Sequence, residues 1–251
     1  MNIVKQKHWD DSYKGWKFYV AENEVTDFLD IWLKRLSRKI DLNNCFEIGC
    51  YPGSYLAHVS RKYELVANGV DITPELNERF EEWLKSEGVT VGSLYCDDAF
   101  KVIERLNNEE TKYDFVYSLG FVEHFEEYID VIKRHGDILR KNGVLIVTTP
   151  NFAGGFQRCF HKLVDMKNYK RHVIRSMNPF VWKKELEKEG YKTLFCGYFG
   201  RYGFWVDKQK RNIFQKFIVK FLAKITEPMK KILRRDSRFF SPYCGIVMIK
   251  K

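Results

Sequence analysis

The sequence predicts a doubly wound α/β fold, a Rossmann-like, seven-stranded and mostly parallel sheet with helices on both faces. Short apolar runs at 45–49, 65–71, 91–96, 114–119, 144–149, 191–198 and 243–249 alternate with stretches of helical periodicity, the pattern of a sheet whose strands are joined through helices. The first run leads into Gly49 and Gly53, which bracket a turn where the backbone can pass close to a ligand without a Cβ in the way. Acids recur where the next two runs end, at Asp71 and at Asp97 and Asp98. In such sheets ligands sit beyond the carboxyl ends of the strands.

Residues 1–40 read as an N-terminal helical cover, with Trp9, Tyr13, Trp16 and Tyr19 as a second cover over the site, the alternative being ordinary packing of an aromatic stripe. Glu47 lies inside the first strand beside the glycine turn, placed to hold a cationic group. Gly53 and Ser54 then open a helix whose free N–H groups and positive dipole end face whatever lies above the strand. The second strand ends in Asp71, next to Ile72, and a carboxylate there can accept hydrogen bonds from both hydroxyls of a ribose. The order Gly49-Cys50-Tyr51-Pro52-Gly53 does not match the G-x-G-x-x-G dinucleotide fingerprint.

Pro74 to Ser86 is expected to be a helix with proline in its first turn. Val122 to Arg140 is expected to be another, closed by Asn142-Gly143. Residues 152–178 read as an acceptor-side loop or lid carrying Gly154-Gly155, Arg158, Arg171 and Arg175, because long segments at this edge of a sheet build pockets. Asn151 precedes it as a further acceptor contact.

Five ordered segments resemble the class I methyltransferases that use S-adenosylmethionine. FEIGCYPG at 46–53 is similar to their first motif, with Glu47, Gly49 and Gly53 matching and Tyr51 replacing the middle glycine. GVDITPE at 69–75 follows with Asp71 in the place of the ribose carboxylate. In YCDDAF at 95–100, Asp98, or alternatively Asp97, resembles the residue that meets the adenine amino group. DFVYSLGFVEHF at 114–125 looks like the fourth strand, ending at Ser118, and the wall beyond it. LRKNGVLIVTTPNF at 139–152 looks like the fifth strand and its approach. The resemblance implies S-adenosyl-L-methionine as cofactor and S-adenosyl-L-homocysteine as product, bound by Glu47, Gly49, Tyr51, Gly53, Asp71, Ile72, Asp97, Asp98 and Ser118. It also implies the strand order and the antiparallel last strand.

The same resemblance places His124 where the wall faces the transferable methyl group, as general base or acceptor anchor, with Glu123 beside it. The alternative is that either residue merely caps the next helix. His172 resembles a family histidine that lines the acceptor pocket, with a surface role as the alternative. His8, His58, His135 and His161 read as structural. No metal is expected. The amine-directed D/N-P-P-Y/F motif is absent, since Ser118-Leu119-Gly120-Phe121 stands in its place, and there is no Pro-Cys pair for attack on pyrimidines.

Length and composition fit one domain over 1–251, 45% apolar and with no Pro/Ser-rich linker. The formal charge of +10 is local: Lys208 to Arg238 holds 11 Lys/Arg against 2 acids. Within it Phe214, Phe217, Ile218, Phe221, Leu222 and Ile225 recur at helical spacing, with Lys216, Lys220 and Lys224 one turn apart on another face. Pro228 is expected to break this helix before a second short one. Such an element suits an anionic membrane surface, the alternative being a stripe packed on the domain. Six cysteines without a C-x-x-C pair read as core residues of a protein in a reducing cytosol, and no run approaches a membrane span or a signal peptide.

These readings converge on an O-methyltransferase acting on a small molecule, sugar or lipid-linked glycan, cytoplasmic or peripheral at the inner membrane face. The alternatives are an RNA-directed methyltransferase and a non-catalytic module that docks on membrane or partner through its basic helices.

Overall fold

The computed structural model describes Val4, Trp9, residues 17–207 and residues 209–251. Its seven strands are β1 (Asn44–Ile48), β2 (Val66–Asp71), β3 (Val91–Cys96), β4 (Tyr113–Leu119), β5 (Leu139–Pro150), β6 (Tyr191–Phe199) and β7 (Tyr243–Lys250). They form one sheet in the order β3-β2-β1-β4-β5-β7-β6. β1, β2, β3, β4 and β5 pair in parallel, and β7 runs antiparallel between β5 and β6. The chain steps outward from β1 in both directions, so the strand order reverses between β1 and β4 and opens a crevice at their carboxyl ends.

Because successive strand residues point to opposite faces, each strand feeds two cores. One face buries Phe46, Ile48, Val116, Leu145 and Val147 against α4 (Ala99–Asn108), α5 (Tyr128–His135) and α8 (Pro179–Lys188). The other buries Cys45, Phe115, Tyr117, Val144 and Ile146 against α1 (Glu24–Leu36), α2 (Ser54–Tyr63) and α3 (Glu78–Ser86). The near-continuous apolar runs of the sequence are the mark of strands covered on both faces.

Four expectations change. The helix expected from Pro74 starts at Glu78, because Asn77 accepts from Arg79 N and caps it there. The stretch from Val122 splits into a 3-10 turn (Val122–His124), α5 and a second 3-10 turn (Gly136–Ile138), after which the chain is already strand by Leu139. Asn142, at φ +60°, lies within β5, beside the register shift in its pairing with β4, and does not close a helix. Residues 152–178 are largely helical, with α6 (Gly155–Val164), α7 (Met166–Tyr169) and a 3-10 turn (Ile174–Ser176) in place of a loop. Finally, α9 (Ile213–Ile232) runs through Pro228 without a break. A proline there removes only one main-chain bond, and the capping box at Asn212 with the packing of Leu222 holds the rest.

Candidate active site

A cavity of about 790 Å³ opens at the carboxyl ends of β1, β2 and β4. The β1–α2 turn forms its floor. Gly49 and Gly53 have φ of +77° and +83°, and a Cβ at Gly53 would run into the Phe80 ring. Glycine is therefore required by conformation and by close packing. Ser54, at the start of α2, lines the cavity, and its buried hydroxyl has no hydrogen-bond partner. Glu47 is 3% exposed, and the Tyr117 hydroxyl donates to its Oε2 at 3.1 Å. Burial holds the Glu47 carboxyl well above the usual carboxylate range. A cationic group entering beside it would favour the charged form.

Asp71 is fixed by two main-chain donors, Tyr51 N to Oδ2 at 3.1 Å and Thr73 N to Oδ1 at 2.9 Å. Burial raises its pKa as well. Asp98 caps α4 by accepting from Phe100 N at 2.9 Å and Lys101 N at 3.2 Å, and it lines the cavity with Ile72. Tyr51, the substitution in the first motif, turns its ring toward Phe18 and Phe80, with centroids 6.1 and 5.6 Å away. It lines the cavity without filling it.

Other expected contacts do not assemble. Asp97 is exposed, lies outside the cavity lining and accepts from Asp98 N at 2.7 Å. Ser118 is fully buried and bonded at 2.8 Å to Nε2 of His135, whose Nδ1 meets Val131 O at 2.8 Å. It braces β4 against α5, and Leu119 and Gly120 reach the cavity instead. Asn151 is spent on the carbonyls of Arg238 and Ser241, at 2.9 and 2.8 Å. Arg171 pairs with Asp207, and Arg175 with Glu126. Two of the three arginines of the acceptor-side segment, Arg171 and Arg175, are thus paired within the chain.

The opposite wall carries His124, which lines the cavity beside Trp9, their rings 5.1 Å apart. Tyr19 also lines it, while Tyr13 and Trp16 lie outside the described residues. His172 is behind His124, ring centroids 5.0 Å apart. Glu123 is 1% exposed with Oε2 unpartnered, and burial pushes its carboxyl up to about 8. Sequence reading missed Phe100, Phe121, Asp130 and Arg134 in the lining. Asp130 and Arg134 are on α5, which only the fold brings to this edge, and Phe100 and Phe121 follow strand ends without a pattern that marks them as lining.

The sequence profile of the methyltransferase-domain family matches residues 21–194. The chain belongs to that family, and its fold is that of the class I S-adenosylmethionine-dependent methyltransferases. Among solved structures it is similar to a SAM-dependent methyltransferase from Archaeoglobus fulgidus, with a TM-score of 0.54 and 17% identity over 97% of this chain and 99% of that one. It is also similar to the plantazolicin methyltransferase BamL, solved with a triazolic desmethyl-plantazolicin analogue and SAH, with a TM-score of 0.55 and 15% identity over 90% of this chain and 83% of that one. Comparison with curated proteins finds no match.

Proposed function

We propose that this chain transfers the methyl group of S-adenosylmethionine to a hydroxyl of a small molecule, sugar or lipid-linked glycan. The observation that carries this reading is the convergence of Glu47, Asp71, Asp98 and His124, from four separate elements, on one cavity. The residues fit the cofactor: a carboxyl whose pKa is raised by burial and which an entering cation would stabilise, an oriented carboxylate at the end of β2, and an orphaned hydroxyl at a helix start. Glu47 would hold the amino group of the methionine part, Asp71 the ribose and Asp98 the adenine amino group.

The bound sulfonium supplies an activated methyl group, so the protein's task is alignment and handling of the acceptor proton. His124, on the wall across from Glu47, is the group that meets the acceptor hydroxyl. Calorimetric titration with S-adenosylmethionine and S-adenosylhomocysteine tests the cofactor half. Micromolar binding is expected for the wild type and its loss in Asp71→Ala, whereas a wild type that binds neither overturns the reading.

We further propose that α9 brings the chain to a membrane surface where the acceptor is met. Its inner side is held to the body by Leu222, by Gln215 to Leu163 O at 2.9 Å and by Lys230 to Glu24 at 2.8 Å. Yet Ile213, Phe214, Phe217, Phe221 and Ile232 are between 52% and 87% exposed. Phe214, Phe217 and Phe221 form one stripe bordered by the exposed Lys216, Lys220 and Lys224. Aromatics that could enter an interface beside cations that favour anionic headgroups support an inner-leaflet surface. Among the described residues no helix is long and apolar enough to cross a membrane. Flotation with phosphatidylserine vesicles is expected to need residues 208–238, and unchanged flotation after their deletion removes this part.

A further inference from the structure

Glu123, His124 and His172 present one carboxylate oxygen and two imidazole nitrogens within 4.8 Å of one another. We propose that they bind a divalent first-row cation of the Zn²⁺, Mn²⁺ or Co²⁺ kind at the acceptor wall of the cavity.

Both imidazoles are oriented as ligands usually are. Nδ1 of His124 lies 3.0 Å from Arg171 O, and Nδ1 of His172 lies 2.7 Å from Asn168 O. A ring that gives its Nδ1 proton to a main-chain carbonyl keeps its lone pair on Nε2, and such partners fix the tautomer and raise ligand basicity.

Glu123 is the second, independent observation. Its Oε2 is buried without a partner in a protein where Asp71, Asp98 and Glu47 each have one. A buried carboxyl with an orphaned oxygen is costly, and a cation held jointly with two imidazoles would relieve it. The supports are also in place. Val173 N donates to Glu123 O at 2.7 Å, which ties the segment carrying His172 to the one carrying Glu123 and His124. Side-chain adjustments of about 1 Å would bring three such donors to a common centre with bonds of about 2.1 Å.

One carboxylate and two imidazoles leave coordination positions open, and His124 faces the cavity, so the open side meets the acceptor. For its chemistry this inference rests on the proposed O-methylation. A hydroxyl bound there is acidified and loses its proton to water. Its oxygen then bonds to the methyl carbon as the carbon–sulfur bond breaks, and the electron pair stays on sulfur as a neutral thioether. The donor set, and binding of the cation alone, do not depend on that step.

The test is titration of the metal-stripped full-length protein with Co²⁺, followed by calorimetry and visible absorption. One equivalent is expected, with d–d bands of a nitrogen and oxygen donor set and displacement by Zn²⁺. Glu123→Gln, His124→Asn and His172→Asn are each expected to weaken uptake by about 100-fold. His172→Gln and circular dichroism guard against a misfolded variant. No stoichiometric uptake, a thiolate charge-transfer band, or variants that bind as the wild type does would each overturn the site. S-adenosylhomocysteine titrated into the same samples separates the two readings. Lost cofactor binding with normal Co²⁺ uptake would sink the methyltransferase proposal alone, and the reverse would sink the metal site alone.

Discussion

The carboxylates that line the cavity at the ends of β1 and β2 and at the start of α4 each have a partner, while Glu123, behind the β4 side, keeps one oxygen without. Asp71 accepts from Tyr51 N and Thr73 N, Asp98 from the start of α4, and Glu47 from Tyr117. Across from them Glu123 keeps an orphaned oxygen beside two histidines. The first wall is preorganised by its own backbone for a ligand of fixed shape. The second leaves one buried carboxylate oxygen, on Glu123, unsatisfied beside two histidines whose Nδ1 atoms are held by main-chain carbonyls. A third region, Ser118 with His135 and Val131, shows the difference most clearly. There a buried histidine is bonded through both nitrogens and has no role left beyond bracing.

The contrast between the walls is broken most severely by His124→Ala. If this side handles the acceptor proton, turnover should fall by about 100-fold or more. Affinity for S-adenosylhomocysteine should stay near the wild-type value, as read by single-turnover kinetics beside calorimetry. Asp71→Ala should do the opposite, weakening cofactor binding by about 1.5 to 3 kcal/mol, the scale of hydrogen bonds to a charged group. Loss of both properties in either variant would mean that the walls do not act separately.

The bracing histidine gives a pH dependence of definite sign. Burial lowers the His135 pKa from 6.5 to about 4. Between those values the unfolded chain binds the proton more readily than the folded one. Its contribution is complete above pH 6.5 and is lost as pH falls toward 4, with a slope of at most about 1.4 kcal/mol per pH unit. Urea unfolding at pH 7.5, 5.5 and 4.5 should show that slope in the wild type and a shallower one in His135→Leu. Phe217→Ser should have the smallest effect on stability, under about 0.5 kcal/mol, because the ring is 68% exposed. Its vesicle binding should nevertheless drop, and a destabilised variant that still floats would show the ring to be packed.

Much of the first wall was legible in the sequence. Glu47, Gly49, Gly53, Asp71 and Asp98 fall at strand ends and turn positions, and a strand that alternates between two buried faces delivers its last residue to a fixed place. Other assignments were less so. Asp97 and Asp98 are adjacent in the chain, and the cap of α4 decided between them by engaging Asp98. Ser118 looked like a site residue by position, but the packing of α5 placed His135 over it. Arg171 and Arg175 stood in the acceptor-side segment by sequence, and Asp207 and Glu126, distant in the chain, pair with them.

By itself the sequence determined the parallel sheet, the glycine turn, the acids at the strand ends and the basic amphipathic character of residues 213–232. These depend on periodicity and on residue types a few positions apart, which local sterics and hydrogen bonding convert directly into structure. Only the tertiary structure decided which polar groups were satisfied, whether the Tyr51 ring closed the cavity, and which face of α9 stayed uncovered. Those outcomes depend on partners 30 to 200 residues away, as with Lys230 on Glu24 or Glu123 on Val173. No local pattern encodes which distant segment arrives to desolvate a side chain or to leave it bare.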